Sequence, residues 1–267
     1  MDGGGSSDST ADPDPHPHRD APLVRRLLAE AVGTFALVTV AVGVDVVARS
    51  HGATMSPAAR VIAPGLVVMA LIHALADVSG AHFNSAVTTG FALRRDFPWH
   101  LVPAYVGAQL LGAVLGAGVW RLIQPAAIDA GVTVVHGAPG RALGVEVLLT
   151  FLLVLVIVNT ATRPSVVGPP AALAVGGTIA LCGILGGPIS GASMNPARSV
   201  GPALVAGAPA DIWVYVLGPL AGAALSVGVT WGLRPHQDPS ERKAAEGEGE
   251  PAGSDRSSSR PGGSARG

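Results

Sequence analysis

"SGASMNPARS", residues 190–199, interrupts a chain otherwise built of long apolar runs. One such run, 170–187, precedes it and another, 211–233, follows. Asn195-Pro196 reads as a helix start. Asn is a favoured N-cap, and Pro is favoured at the first helical position, where its missing N–H would have no partner anyway. Arg198 stands two residues later. An arginine set between membrane-length runs is costly unless it lines a water-filled cavity. The stretch therefore predicts a helix that begins inside the membrane, beside water.

The rest of the chain supports a membrane setting. It is 49% hydrophobic and 13% charged over 267 residues, about half the ~25% charge of soluble domains. Runs of roughly 18 or more apolar residues are candidate spans, because about 20 residues cross the hydrocarbon core. Six qualify: 24–48, 59–78, 99–120, 142–161, 170–187 and 211–233. The ends, 1–22 and 234–267, carry many of the charges together with Gly, Ser and Pro, and read as disordered tails. The start has no apolar segment after a basic one, so it is not a secretory signal. A net charge of −1 and the lack of a basic, aromatic-interleaved patch argue against a nucleic-acid partner. The single cysteine, Cys182, excludes an internal disulfide and reads as packing.

The motif occurs twice. "SGAHFNSAVTTG" (79–90) aligns with "SGASMNPARSVG" (190–201) at an offset of 111. "EAVGTFALV" from Glu30 matches "EVLLTFLLV" from Glu146, and "YVGAQLLGA" from Tyr105 matches "YVLGPLAGA" from Tyr215. The unit is three spans plus one motif, giving repeat one over 23–120 and repeat two over 141–233. Three is odd, so the second copy is inverted relative to the first. The basic residues Arg25, Arg26, Arg94, Arg95, Arg163, Arg234, Arg242 and Lys243 outnumber Arg49, Arg60, Arg121 and Arg141 on the opposite side. That excess predicts that both tails are cytoplasmic.

After each asparagine only about ten helical residues follow, a rise of ~15 Å or half the ~30 Å core. Two half-helices entering from opposite faces would meet at mid-membrane and complete a broken seventh span. Irregular backbone at that depth is tolerated only in protein or beside a wet cavity. Each helix start carries about half a positive charge, so two aimed at one spot repel cations. The amides of Asn84 and Asn195 remain as donors. The carbonyls of Gly80, Ala81, His82 and Phe83, and of Gly191, Ala192, Ser193 and Met194, offer an acceptor ladder. Together they describe a narrow path for neutral hydrogen-bonding solutes.

These stretches resemble the aquaporin, or major intrinsic protein, family over about residues 23–233. The two motifs resemble its paired Asn-Pro-Ala boxes, here Asn84, Ser85 and Ala86, and Asn195, Pro196 and Ala197. Ser85 stands where the family has Pro. "FPWHLVPAYVGAQLLGA" (97–113) and "SGASMNPARSVGPA" are similar to the nodulin-like intrinsic proteins and their bacterial relatives, a branch that includes channels for glycerol and small metalloid acids. The resemblance implies an all-α membrane protein of six transmembrane helices plus two half-helices. It implies a constriction at Pro64, Gly183, Ala192 and Arg198. Strict water channels of the family put an aromatic at the first of these positions and His at the second. Glycerol facilitators put an acid after the arginine, where this chain has Ser199. The resemblance also implies a homotetramer with one pore per subunit.

Other residues take plainer readings. Glu30 and Glu146 are expected to brace the irregular loops by accepting backbone N–H groups. His82 is placed at the cytoplasmic vestibule, His73 in the core or an interface, and Asp45 and Asp77 near span ends, reaching water. Tyr105 and Tyr215 pack within their helices. Trp99, Trp213 and Trp231 suit the membrane interface. "HPH" at 16–18 is too short for a metal site. No nucleophile–base pair, metal cluster or nucleotide loop appears, so neither an enzyme nor a cofactor is expected. The expected function is passive passage of water and small neutral solutes such as glycerol, boric acid or arsenous acid through the lipid bilayer. The alternatives are a more strictly water-selective channel, a secondary transporter on the same inverted repeat, and a mainly adhesive protein with a weak pore.

Overall fold

The computed structural model describes residues 21–51, 55–160, 169–234 and 239–247. Residues 1–20, with the "HPH" stretch, lie outside the described residues, as do Arg163 and the chain beyond 247. Repeat one runs α1 (Leu23–Ser50), α2 (Pro57–Ser79), α3 (Ser85–Arg94) and α4 (Val102–Ile123). Repeat two runs α5 (Pro139–Thr160), α6 (Pro169–Ser190), α7 (Pro196–Ala206) and α8 (Ile212–Leu233). Six of the helices are long and apolar enough to cross a membrane. The half-helices α3 and α7 have 10 and 11 residues. The protein is a multi-pass, all-helical membrane protein.

The inverted repeat sets the packing. α1 pairs with α4 as α5 pairs with α8, while α2 and α6 meet across the repeat boundary. Glycines permit these approaches. A Cβ on Gly112 would meet the Ala31 carbonyl oxygen at 2.2 Å, and one on its counterpart Gly222 would meet the Val147 carbonyl oxygen at 2.4 Å. Close backbone contact of this kind is what holds helices together where no hydrophobic effect drives their association. Each half-helix leans mainly on the last helix of the other repeat: α3 on α8, and α7 on α4. Leucines such as Leu66, Leu111, Leu181 and Leu217 point outward, more than half exposed, where lipid would cover them.

The expected disordered tail from 234 needs one correction. Pro239–Glu246 form a helix, α9, followed by Gly247 at φ 84°. Pro at its first position and an Arg242–Glu246 pair at 3.3 Å support it locally. Its anchor is tertiary: Ala245 is 2% exposed and packs in the same core as Phe91, Phe97 and Tyr105. A composition-based reading sees only the charges and misses one small residue that finds a fitting hollow.

Candidate functional site

The loops before α3 and α7 carry the unusual backbone. Gly80, Ala81 and Phe83 in the first loop, and Gly191, Ala192 and Met194 in the second, all have positive φ. For the four non-glycine residues this conformation costs energy, which surrounding contacts must offset. Glu30 supplies them in repeat one. Its Oε1 accepts from Ser79 Oγ (2.8 Å) and His82 N (2.9 Å), and its Oε2 from Phe83 N and Gln109 Nε2 (both 2.8 Å). Glu146 does the same in repeat two, accepting from Ser190 Oγ (2.7 Å), Ser193 N (2.9 Å) and Met194 N (2.8 Å). Both glutamates are fully buried. The tyrosines do more than pack. Tyr105 Oη donates to Ser79 O and Tyr215 Oη to Ser190 O, at 3.1 and 2.8 Å. Each ties down the last carbonyl before the irregular loop.

The half-helices begin at the asparagines. Asn84 Oδ1 accepts from Ala86 N at 2.9 Å and Asn195 Oδ1 from Arg198 N at 3.3 Å, so both are N-caps. Their amides cross between the repeats: Asn84 Nδ2 donates to Met194 O and Asn195 Nδ2 to Phe83 O, each at 2.8 Å. The two helix starts are thus stitched tip to tip. An amide nitrogen carries two hydrogens, so one on each asparagine stays available. The same stitch engages the carbonyls of Phe83 and Met194, two members of the expected ladder.

Both asparagines line one cavity of about 690 Å³. Pro64, Gly183, Ala192 and Arg198 lie on its wall, as do Gly191, Ser193 and Met194 from the second loop and His82 and Phe83 from the first. Gly80 and Ala81 are not on that wall. Asp45 and Asp129 also lie on it, each paired with an arginine: Asp45 with Arg60 at 2.5 Å, and Asp129 with Arg49 at 2.6 Å. Apolar side chains, among them Val87, Leu153 and Ile157, share the wall.

Three features lay beyond the sequence reading. Arg198 Nη1 donates to Thr133 Oγ1, from the loop between repeats. Ser85, the departure from Asn-Pro-Ala, donates through Oγ to Gln109 Oε1 at 3.0 Å. His82 is buried among Phe91, Phe97 and Tyr105, with Nδ1 3.1 Å from Thr88 Oγ1 and Nε2 3.0 Å from the Ala245 carbonyl oxygen. Only Ser85 announces itself in the sequence, as a break in the motif. Among the described residues no His, Cys, Asp or Glu cluster could hold a metal ion.

Comparison with known proteins agrees with this architecture. Residues 18–229 match the family described as Major intrinsic protein. The chain is 44% identical over 209 residues to aquaporin NIP1-1 of Oryza sativa subsp. japonica, covering 76% of this chain and 72% of the relative. It is 43% identical over 203 residues to nodulin-26 of Glycine max, covering 76% and 75%. Among solved structures it is similar to the aquaglyceroporin from Plasmodium falciparum, with a TM-score of 0.71 and 24% identity over 78% of this chain and 96% of that one. The last likeness speaks to the fold alone.

Proposed function

The chain belongs to the major intrinsic protein family, on its nodulin-26-like aquaporin branch, and from that premise we propose that its pore passes solutes larger than water. The protein is a channel for water and small neutral solutes and not an enzyme. The finer reading is that glycerol and the undissociated forms of boric and arsenous acid pass, selected at Pro64, Gly183, Ala192 and Arg198. The observation that carries it is the composition of this ring on the wall of a 690 Å³ cavity. Three of the four positions are Pro, Gly and Ala, so only the guanidinium projects far into the path.

A passing solute gives up hydration and is repaid by Arg198 N–H groups, second-loop carbonyls and the spare amide hydrogens of Asn84 and Asn195. Cations meet Arg198 and then two helix N-termini of about half a charge each. A transporter would couple transport to a titratable or ion-binding group in the spans. Glu30 and Glu146 are the central candidates, and both are engaged by loop donors, which favours a passive channel. The basic-residue excess supports cytoplasmic termini in a cell membrane. The Gly- and Ala-rich outer faces are compatible with a homotetramer.

The test is stopped-flow light scattering of proteoliposomes against gradients of impermeant osmolyte, glycerol, urea and boric acid. Linear, unsaturable glycerol and boric acid flux is expected. Flux of water alone would overturn the wide-filter reading in favour of a strict water channel, and saturable, proton-gradient-dependent flux would favour a transporter.

A further inference from the structure

Arg198 is held by hydroxyls, and their donor directions can be worked out. A guanidinium only donates, and a carbonyl oxygen only accepts. Between Arg198 Nη1 and the Asn195 carbonyl stand three hydroxyls in contact: Thr133 Oγ1 to Ser199 Oγ at 2.8 Å, Ser199 Oγ to Ser193 Oγ at 2.5 Å, and Ser193 Oγ to Asn195 O at 2.9 Å. Thr133, Ser193 and Ser199 are 6%, 5% and 1% exposed. With fixed ends, each hydroxyl has one arrangement: Arg198 donates to Thr133, Thr133 to Ser199, Ser199 to Ser193, and Ser193 to the carbonyl. Bonds aligned in this way polarise one another.

We propose that this neutral hydroxyl chain is a specificity-determining support, with Thr133 and Ser199 as positioning residues for the Arg198 guanidinium. The inference rests on the filter reading above. An acid beside Arg198 would neutralise part of its charge, whereas three hydroxyls hold the group and leave the charge to act on the lumen. The experiment compares Thr133→Val, Thr133→Ser, Ser199→Ala and Arg198→Val in proteoliposomes, reading the glycerol-to-water permeability ratio and the proton leak. Thr133→Val and Ser199→Ala are expected to change the ratio about three-fold or more and to raise the leak, because the first removes the acceptor of the charged donor and the second frees the Thr133 hydroxyl to turn away from it. Thr133→Ser keeps the hydroxyl and should behave as the unaltered protein, which a merely space-filling role would not require. If Arg198→Val shifts both readouts and Thr133→Val and Ser199→Ala shift neither, the hydroxyl chain is overturned and the filter reading stands. If Arg198→Val shifts neither, the filter reading itself fails.

A separate observation concerns the opposite mouth. The Ala245 carbonyl can only accept, so its 3.0 Å contact draws on an N–H at His82 Nε2, the nitrogen turned away from Thr88. A Cβ on Gly80 would lie 2.3 Å from that same carbonyl oxygen, and one on Gly247 would meet Val78, Ser79 and Gly80 at 2.8–3.0 Å. α9 therefore seats on the rim formed by the end of α2 and the first loop, and its Ala245 carbonyl takes the Nε2 donor of His82, a residue of the cavity wall. We infer that α9 is a built-in plug of the cytoplasmic mouth, released for conduction. In full-length protein, Ala245→Lys puts a charge into a site with 2% exposure, and a deletion of 239–247 removes the plug without adding one. Both should raise water and glycerol permeability per reconstituted protein about five-fold or more, as expected when a dominant closed state is removed. The glycerol-to-water ratio should stay unchanged because the filter is intact. Permeability equal to or below that of the unaltered protein in both variants would overturn the plug, while a retained ratio would keep the filter reading separate from that failure.

Discussion

In repeat two the half-helix opens with Pro196, and the position of α8 matching Gln109 is Pro219. In repeat one the same two places are Ser85 and Gln109, and they hydrogen-bond to each other at 3.0 Å. Gln109 also donates to Glu30 and to Thr88, at 2.8 and 3.0 Å. So Glu30 has four donors and Glu146 three. The two boxes hold their loops in matching backbone conformations, yet one does so with a polar network and the other with proline rigidity. A motif can therefore lose its proline without losing its helix, provided a partner elsewhere absorbs the new hydroxyl.

The largest effect expected from this comparison is at the glutamates. Glu30→Ala strands four buried donors and Glu146→Ala three, each at about 1–3 kcal/mol. Against a typical total stability of about 5–15 kcal/mol, both should leave little monodisperse protein in detergent. Glu30→Ala should be the worse by both yield and thermal midpoint on size-exclusion and unfolding assays. The reverse order would break the claim that Gln109 makes repeat one the more heavily braced.

The next concerns the two positions that follow the boxes. Arg198 matches Val87 at the offset of 111, and both line the cavity. At this matched position, positive charge is thus supplied from one repeat only. Arg198→Val should raise proton or cation leak about ten-fold or more, given the cost of an ion in a pore without that barrier. Val87→Ala should leave the leak unchanged. A pH-sensitive dye inside proteoliposomes reads both. Equal leak from the two variants would mean that exclusion rests on the helix dipoles alone.

Much of this was legible from residues. The six spans follow from length and apolarity. The half-helices follow from the box, its duplication and the short run after each asparagine. The paired glutamates stood out because the repeat aligned them. What stayed hidden depends on contacts between distant segments. Thr133 lies in "GVTVVHG", which has no pattern, and it matters only because the loop drops it beside Arg198. Gln109 and the two tyrosines look like span residues until their partners are in place. α9 looks like tail because its composition is charged, and its anchor Ala245 is unremarkable until Gly80 makes room for it.

The smallest effect sharpens the comparison most. Ser85→Pro would give box one the sequence of box two. The Ser85 N–H sits at the first helical position, outside the helix ladder, so proline removes no helical bond there. What is lost is the donor to Gln109 Oε1, whose amide side remains fixed by Glu30 and Thr88 and cannot turn to compensate. The expected cost is about 1 kcal/mol, the scale of one neutral buried hydrogen bond, seen as a small drop in thermal midpoint with solute selectivity intact. Gln109→Met alone should cost more, because it also takes a donor from Glu30. In the double variant the two changes should be less than additive, since the Ser85–Gln109 bond can be lost only once. Strict additivity would mean that the serine and the glutamine are not coupled, and that the missing proline is tolerated for a reason other than this bond.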